Sequence, residues 1–313
     1  MILAENVSKF YGAHAAVSGL NFSIAEGEVV GLLGLNGAGK TTTLRILSGL
    51  LVPTSGKISI GGLDMAENPE HVRARLGFLP ETPPLYAEMT VADYLRFVAR
   101  LKGLKTGVAQ AVEAAMQATE LSGVGDVVIG TLSHGFHKRI GIAQAIVHRP
   151  SLILLDEPTS GLDPIQLVHM RQLIRGLRGH NTIIVSSHVL SEIEQMCDRI
   201  FVLRDGHIEA EGTARELALR VAAATAVKLE VRGSPHDLEQ LLRQAAFVAH
   251  YNIESASGGL VVAVVELQGD AREALAQSVV AAGMGLRRLE RVQLELENIF
   301  LKLATGSAAP SAA

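Results

Sequence analysis

The sequence predicts an α/β fold: a parallel sheet interleaved with helices, with further strands near the N-terminus and a helical insertion, followed by a small C-terminal α+β domain of ferredoxin-like order. Three observations carry this expectation. Residues 34–41 read Gly-Leu-Asn-Gly-Ala-Gly-Lys-Thr, directly after the apolar run 29–33 and directly before the helix-like stretch 41–50. From residue 151 onward short apolar strands again alternate with helical patterns. Residues 227–292 then run β-α-β-β-α-β.

The elements follow in order. Residues 2–10 and 15–24 read as strands separated by a turn at Tyr11-Gly12, and 56–60 continue the strand character. Val91, Leu95, Val98 and Leu101 fall at helical spacing, followed by Val112, Ala115 and Leu121, so residues 91–121 read as a helical insertion. Strands at 152–155 and 182–186 alternate with helices at 165–177 and 190–196, and Asp205-Gly206 is a two-residue hairpin turn between 200–203 and 207–211. Residues 222–225 read as a soft junction. The expected layout is therefore a nucleotide-binding domain at 1–215, a linker at 216–225, an accessory domain at 226–305 and a disordered tail at 306–313, with a last helix at 296–303.

Composition bounds the rest. A chain of 313 residues exceeds what one core usually serves. With 48% hydrophobic and 19% charged residues it is globular, and its formal charge of −4 gives no general pull toward nucleic acid or anionic lipid. Apolar runs such as 260–265 are too short to span a bilayer, and the first residues lack a signal-peptide pattern, so synthesis in the cytoplasm is expected. The single cysteine, Cys197, excludes an intramolecular disulfide and reads as a small buried hydrophobe.

The chemistry begins at the glycine loop. Strand, glycine loop and helix N-terminus in this order turn successive backbone N–H groups toward one anion. Gly34, Gly37 and Gly39 allow close approach, Lys40 supplies a charge for the β- and γ-phosphates, and Thr41 offers a hydroxyl to Mg²⁺. With Leu35, Asn36, Ala38 and Thr42 these residues make the expected nucleoside triphosphate site, without deciding ATP over GTP. Asp156 and Glu157 end an apolar strand at the edge where ligands sit in parallel sheets. Asp156 suits Mg²⁺, and Glu157 suits orienting or deprotonating an attacking water. Ser133, expected as an N-cap, and Gly135 open a helix whose free N–H groups can face a second anion.

The ordered set of phosphate loop, Leu132-Ser133-His134-Gly135, Leu154-Leu155-Asp156-Glu157-Pro158-Thr159, Gly161-Leu162-Asp163 and Ser186-Ser187-His188 resembles the nucleotide-binding subunit of ABC transporters across residues 2–215. The resemblance implies a P-loop NTPase of ABC ATPase type, with an antiparallel β subdomain and a helical subdomain at about 83–148, using ATP and Mg²⁺. It implies that Tyr11 stacks on adenine, that His188 contacts the γ-phosphate, and that Ser160, Gly161, Leu162 and Asp163 lie at a dimer interface. Two departures stand out. Glu81 replaces the usual Gln and is expected to bind Mg²⁺ alongside Thr41 and Asp156, although a carboxylate cannot donate an amide hydrogen bond. His134 and Phe136 replace Gly and Gln. Both departures resemble an exporter branch paired with drug, polysaccharide, antibiotic or gliding-motility permeases. The implied partners are a second ATPase subunit, expected to be an identical copy, and a polytopic membrane permease whose coupling helix meets the helical insertion. No nucleic acid is expected, and the protein would sit peripherally on the cytoplasmic face of the membrane. Two other classes remain open: a soluble ATPase of this type acting on ribosomes or DNA, and a nucleotide-gated regulatory module.

Overall fold

The computed structural model describes residues 1–179, 181–221 and 224–291. The chain divides into two units at Ala214/Arg215.

In the first unit, β1 (Ile2–Tyr11) and β2 (His14–Ile24) precede β3 (Val29–Leu33) and α1 (Lys40–Leu47). Then come β4 (Ser55–Ile60), β5 (Leu63–Asp64), α2 (Pro69–Ala74) and β6 (Leu76–Leu79). The helical insertion contains α3 (Val91–Leu101), α4 (Val108–Ala118) and α5 (His134–Ile146). It is followed by β7 (Leu152–Asp156), α6 (Pro164–Gly176), β8 (Thr182–Ser187), α7 (Leu190–Met196), β9 (Arg199–Arg204) and β10 (His207–Gly212).

Two sheets result. β2-β1-β4-β5 is antiparallel, and β10-β9-β3-β8-β7-β6 is parallel apart from the β9–β10 hairpin. Strands β3, β7 and β8 are buried at every position, as both faces of a parallel sheet require. Ile2, Ala4, Leu20 and Ile58 of the antiparallel sheet share one core with Leu32, Leu154, Ile184 and Phe201 of the parallel sheet. The insertion has its own core around Val91, Leu95, Val112, Leu121 and Ile140. The register β3–β8–β7 brings the C-terminal ends of these three strands, and hence the phosphate loop, Glu157 and His188, to one sheet edge.

The helix α8 (Ala214–Val221) starts at the division, and β11 (Ala224–Arg232) follows it. The remaining elements are α9 (Pro235–Gln244), β12 (Val248–Ser257), β13 (Leu260–Gln268), α10 (Arg272–Ala281) and β14 (Gly285–Arg291). Their sheet order β12-β13-β11-β14 is antiparallel throughout, which is the ferredoxin-like arrangement of a β-α-β-β-α-β unit. Val227, Leu229, Val261, Val265, Leu238 and Leu275 close a separate core.

The fold departs from the sequence expectation in three places. The stretch 216–225 is not a plain linker: α8 fills most of it, and Ala224 and Thr225 pair with Gln268 and Leu267. Alanine looks featureless in sequence, yet it is a good helix former and its small side chain does not prevent strand pairing. Tyr11 closes β1 opposite His14 rather than sitting in the turn. The elements β5, α2 and β6 carried too few residues for a periodic signal. The expected helix at 296–303 and tail at 306–313 lie outside the described residues. Burial pushes the Cys197 thiol well above its ordinary range, consistent with an unreactive side chain.

Candidate functional site

The loop between β3 and α1 is shaped by contacts only glycine permits. Gly39, at φ 103°, occupies the N-cap of α1, and a Cβ there would lie 2.6 Å from the Ala16 carbonyl oxygen. Gly37 has φ 85°, whereas a Cβ on Gly34 would meet the Leu203 carbonyl oxygen at 2.7 Å. No acidic residue lies in the first turn of α1, so its N–H groups present an uncompensated positive end. Lys40 is only 6% exposed; its Nζ donates to the carbonyl oxygens of Gly34 at 2.8 Å and Leu35 at 3.3 Å, and pairs with Glu157 Oε1 at 3.3 Å.

At the end of β7, Asp156 is 1% exposed. Its Oδ1 accepts from Ser186 Oγ at 2.7 Å and from Thr41 Oγ1 at 3.3 Å, while its Oδ2 is buried with no hydrogen-bond partner. Burial raises its pKa above the ordinary 3.8, opposed by the Ser186 and Thr41 hydrogen bonds, with the Glu157 and Glu81 charges adding to the rise. An orphaned buried carboxylate oxygen beside the loop hydroxyl fits Mg²⁺, which keeps several waters and takes ligands from phosphates. Among the described residues no three His, Cys, Asp or Glu side chains form a cluster that could hold a metal ion.

The raised pKa of Asp156 makes stability depend on pH with a definite sign. A carboxyl whose folded pKa is raised contributes stability below its unfolded value and loses it as pH rises through the folded value. Asp156→Asn is therefore expected to gain in Tm over the wild type as pH is raised from about 4 to 8. Ligand-free thermal unfolding across that range is the check; a constant Tm difference would contradict it.

Glu157 is held by both ends. Its backbone sits at φ 47°, a left-handed conformation costing an ordinary residue roughly 1–2 kcal/mol. Its N–H donates to Ser186 Oγ at 2.9 Å, and its carbonyl accepts from Lys138 Nζ at 3.0 Å. The carboxylate meets Lys40 through Oε1 and His188 Nδ1 through Oε2, the latter at 3.0 Å. Behind it, Glu192 Oε2 accepts from both Thr159 and Ser187 hydroxyls, tying the segment after Glu157 to the one before His188. Sequence reasoning assigned no part to Lys138 or Glu192. A charged residue within a helical pattern reads as surface, and only the partners that the fold brings to it distinguish it.

A cleft of about 600 Å³ brings together Tyr11, Asn36, Gly37, Gly39, Lys40, Thr41, Thr42, Glu81, Glu157 and His188, and adds His14, Ala16 and Ser160, which the sequence did not place there. Tyr11 is 50% exposed, and the Lys9 ammonium lies over its ring, 5.6 Å from the centroid. Gly34, Leu35 and Ala38 shape the loop without lining the cleft, and Asp156 lies beneath it.

Ser133 and Gly135 do not line that cleft. Ser133 holds the N-cap position of α5, but its side chain makes no capping bond, so the expected side-chain cap is corrected. Its exposed hydroxyl remains available to another partner. A Cβ on Gly135 would lie 2.7 Å from Gln166 Oε1, so a side chain there would displace the Gln166 amide. His134 Nε2 approaches the Ser160 carbonyl oxygen at 3.3 Å, so this departure from the common pattern packs on the segment that follows Glu157.

The family model described as ABC transporter matches residues 17–160. The uncharacterized ABC transporter ATP-binding protein YxlF of Bacillus subtilis is 34% identical over 97% of this chain and 99% of its own. The bacitracin transport ATP-binding protein BcrA of Bacillus licheniformis is 33% identical over 98% of each. The Nod factor export ATP-binding protein I of Rhizobium etli is 35% identical over 96% of this chain and 92% of its own. Among solved structures, an ATP-binding subunit of an ABC transporter superposes with a TM-score of 0.64 at 31% identity, covering 70% of this chain and 92% of that one. The dimeric cassette MJ0796 bound to ADP and Pi gives 0.63 at 28%, covering 68% and 98%.

Proposed function

Because the chain belongs to the ABC transporter ATP-binding family and is an ATP-binding and ATP-hydrolysing motor subunit, we propose that it drives export through a separate membrane permease, by ATP-dependent closure of two copies of itself. The observation that carries this reading is the second anion-ready helix start. The first turn of α5 has no acidic residue, Ser133 is exposed, and neither Ser133 nor Gly135 lines the cleft that holds the phosphate loop. A phosphate bound at Lys40 is met by Ser133 only when a second chain supplies it.

In this reading Tyr11 stacks on the adenine, the loop from Gly34 to Thr42 wraps the phosphates, and Lys40 turns from its loop carbonyls to the β- and γ-phosphates. Thr41 and Asp156, with Glu81 at the cleft wall, would hold Mg²⁺, which neutralises phosphate charge when bound. Glu157 orients the attacking water and accepts its proton, and His188, bonded to Glu157 Oε2, contacts the γ-phosphate.

The exporter assignment is supported by relatives whose names read Nod factor export and linearmycin resistance. No described helix is long and apolar enough to cross a membrane, so a separate permease would supply the pathway. Tyr86 and Phe97, exposed at 49% and 41% with ring centroids 5.6 Å apart, offer that permease an apolar landing on the helical subdomain. The protein would then lie peripherally on the cytoplasmic face of the membrane. The C-terminal unit is assigned an accessory role in dimer stability or permease gating.

The test is the dependence of MgATP hydrolysis on protein concentration. A composite site requires the rate to rise more steeply than linearly while the protein is mostly monomeric. Strict linearity there would remove the two-chain mechanism.

A further inference from the structure

We propose that Lys138 is a positioning residue that locks the backbone carbonyl of Glu157 to the loop carrying Glu81, so that movement of that loop reaches the catalytic carboxylate. The inference rests on the function proposed above and adds a route by which the permease side controls hydrolysis.

One face of α5 and His148, two residues past its end, run along β6 and its following loop as a ladder of side chain to carbonyl contacts. His148 Nε2 lies 3.1 Å from the Leu76 carbonyl oxygen, Gln144 Nε2 donates to the Phe78 carbonyl at 2.9 Å, and Lys138 Nζ donates to the Glu81 carbonyl at 2.7 Å. Between these rungs, a Cβ on Gly141 would lie 2.4 Å from Leu79 Cδ1 and 3.0 Å from Pro83 Cβ, so the helix is in close contact with the end of β6 and the loop beyond it. Of the three rungs, Lys138 is the one that also reaches the end of β7, at the Glu157 carbonyl oxygen 3.0 Å away.

The chemistry explains why an ammonium stands there. Lys138 is 1% exposed, and burying a charge is costly unless it is well partnered. Desolvation lowers its pKa, while the charges of Glu81, Asp156 and Glu157 oppose that shift. An ammonium has three donors and so can serve two carbonyls at once. The left-handed Glu157 backbone is thereby clamped on its N–H side by Ser186 and on its carbonyl side by Lys138. Releasing one clamp lets the carboxylate drift, and a small misplacement of a catalytic group costs turnover far more than binding.

The experiment compares Lys138→Met and Lys138→Arg with the wild type in kcat, KM, MgATP affinity and thermal unfolding. Methionine fills similar space with no donor; arginine can still donate to two carbonyls. The expected result is a kcat lower by about tenfold or more for Lys138→Met with MgATP affinity within about twofold, and recovery of about half or more of the lost kcat in Lys138→Arg. The chain has no tryptophan, so Tyr86→Trp adds a single fluorescent reporter close to the Glu81 loop. Its response to MgATP should be present when Lys138 is intact and lost in the Lys138→Met background. If Lys138→Met does not fold, Lys138→Gln is measured in its place, with a loss of kcat of about fivefold or more expected. Wild-type kcat in the folded variant, or equal losses of kcat and affinity with no recovery by arginine, would overturn the proposal. Failure of the wild type to hydrolyse ATP would instead refute the function on which it rests.

Discussion

Glu157→Gln is expected to lower ATP turnover by about 10²–10⁴-fold, the range spanned by loss of a positioned general base, while MgATP binding stays within a few-fold of wild type. The substitution preserves shape and leaves the backbone contacts to Ser186 and Lys138 untouched. It removes the negative charge that meets Lys40 and His188 at the cleft wall. With that charge gone Lys40 is freer to turn to phosphate, so affinity should hold or rise. ATP-bound dimers should then accumulate, because closure proceeds and hydrolysis does not. Steady-state turnover, nucleotide titration and sizing chromatography with MgATP measure the three parts. Turnover at the wild-type level would remove Glu157 from the catalytic role.

Lys40→Ala should act at the opposite step. Each hydrogen bond from a charged donor is worth about 1.5–3 kcal/mol, so loss of contact with the β- and γ-phosphates should weaken MgATP binding by roughly 10–100-fold per contact. The ligand-free protein should suffer too. Lys40 and Glu157 side chains are 6% and 9% exposed, and removing one partner leaves a nearly buried carboxylate. Breaking such a pair costs up to about 3–5 kcal/mol, moderated here because His188 still contacts Oε2. Thermal unfolding with and without MgATP reads both effects. The variant should melt lower than wild type and should lack the ligand-induced rise that binding to the native state produces. A full MgATP-induced rise in Lys40→Ala would show that the loop binds nucleotide without this charge.

The two expectations rest on different kinds of legibility. Lys40 is readable because its neighbours in sequence are also its neighbours in space: a glycine loop between a buried strand and a helix forms its cradle from consecutive residues. The β-α-β-β-α-β elements of the C-terminal unit, α8 apart, were readable for a related reason. Their lengths and alternating apolar residues, as in 260–268, carry period 2 or helical spacing long enough to register. The six-residue α2 and two-residue β5 offered no such run, and the alanines at 222–226 hid the start of β11.

Sequence by itself determined the phosphate loop, the placing of Asp156, Glu157 and His188 at strand ends, and the parallel sheet that carries them. Each depends on contiguous patterns and on the rule that ligands gather at the C-terminal edge of parallel strands. Only the tertiary structure decided how the charges there are compensated. Thr41 meets Asp156 across 115 residues, Lys138 meets Glu81 across 57, and Thr159 meets Glu192 across 33. It also decided that Ser133 stands apart from the cleft on its own chain. The physical reason is that a buried charge is stable only where donors or acceptors converge on it, and that convergence is set by how strands and helices pack, which residue spacing alone does not encode.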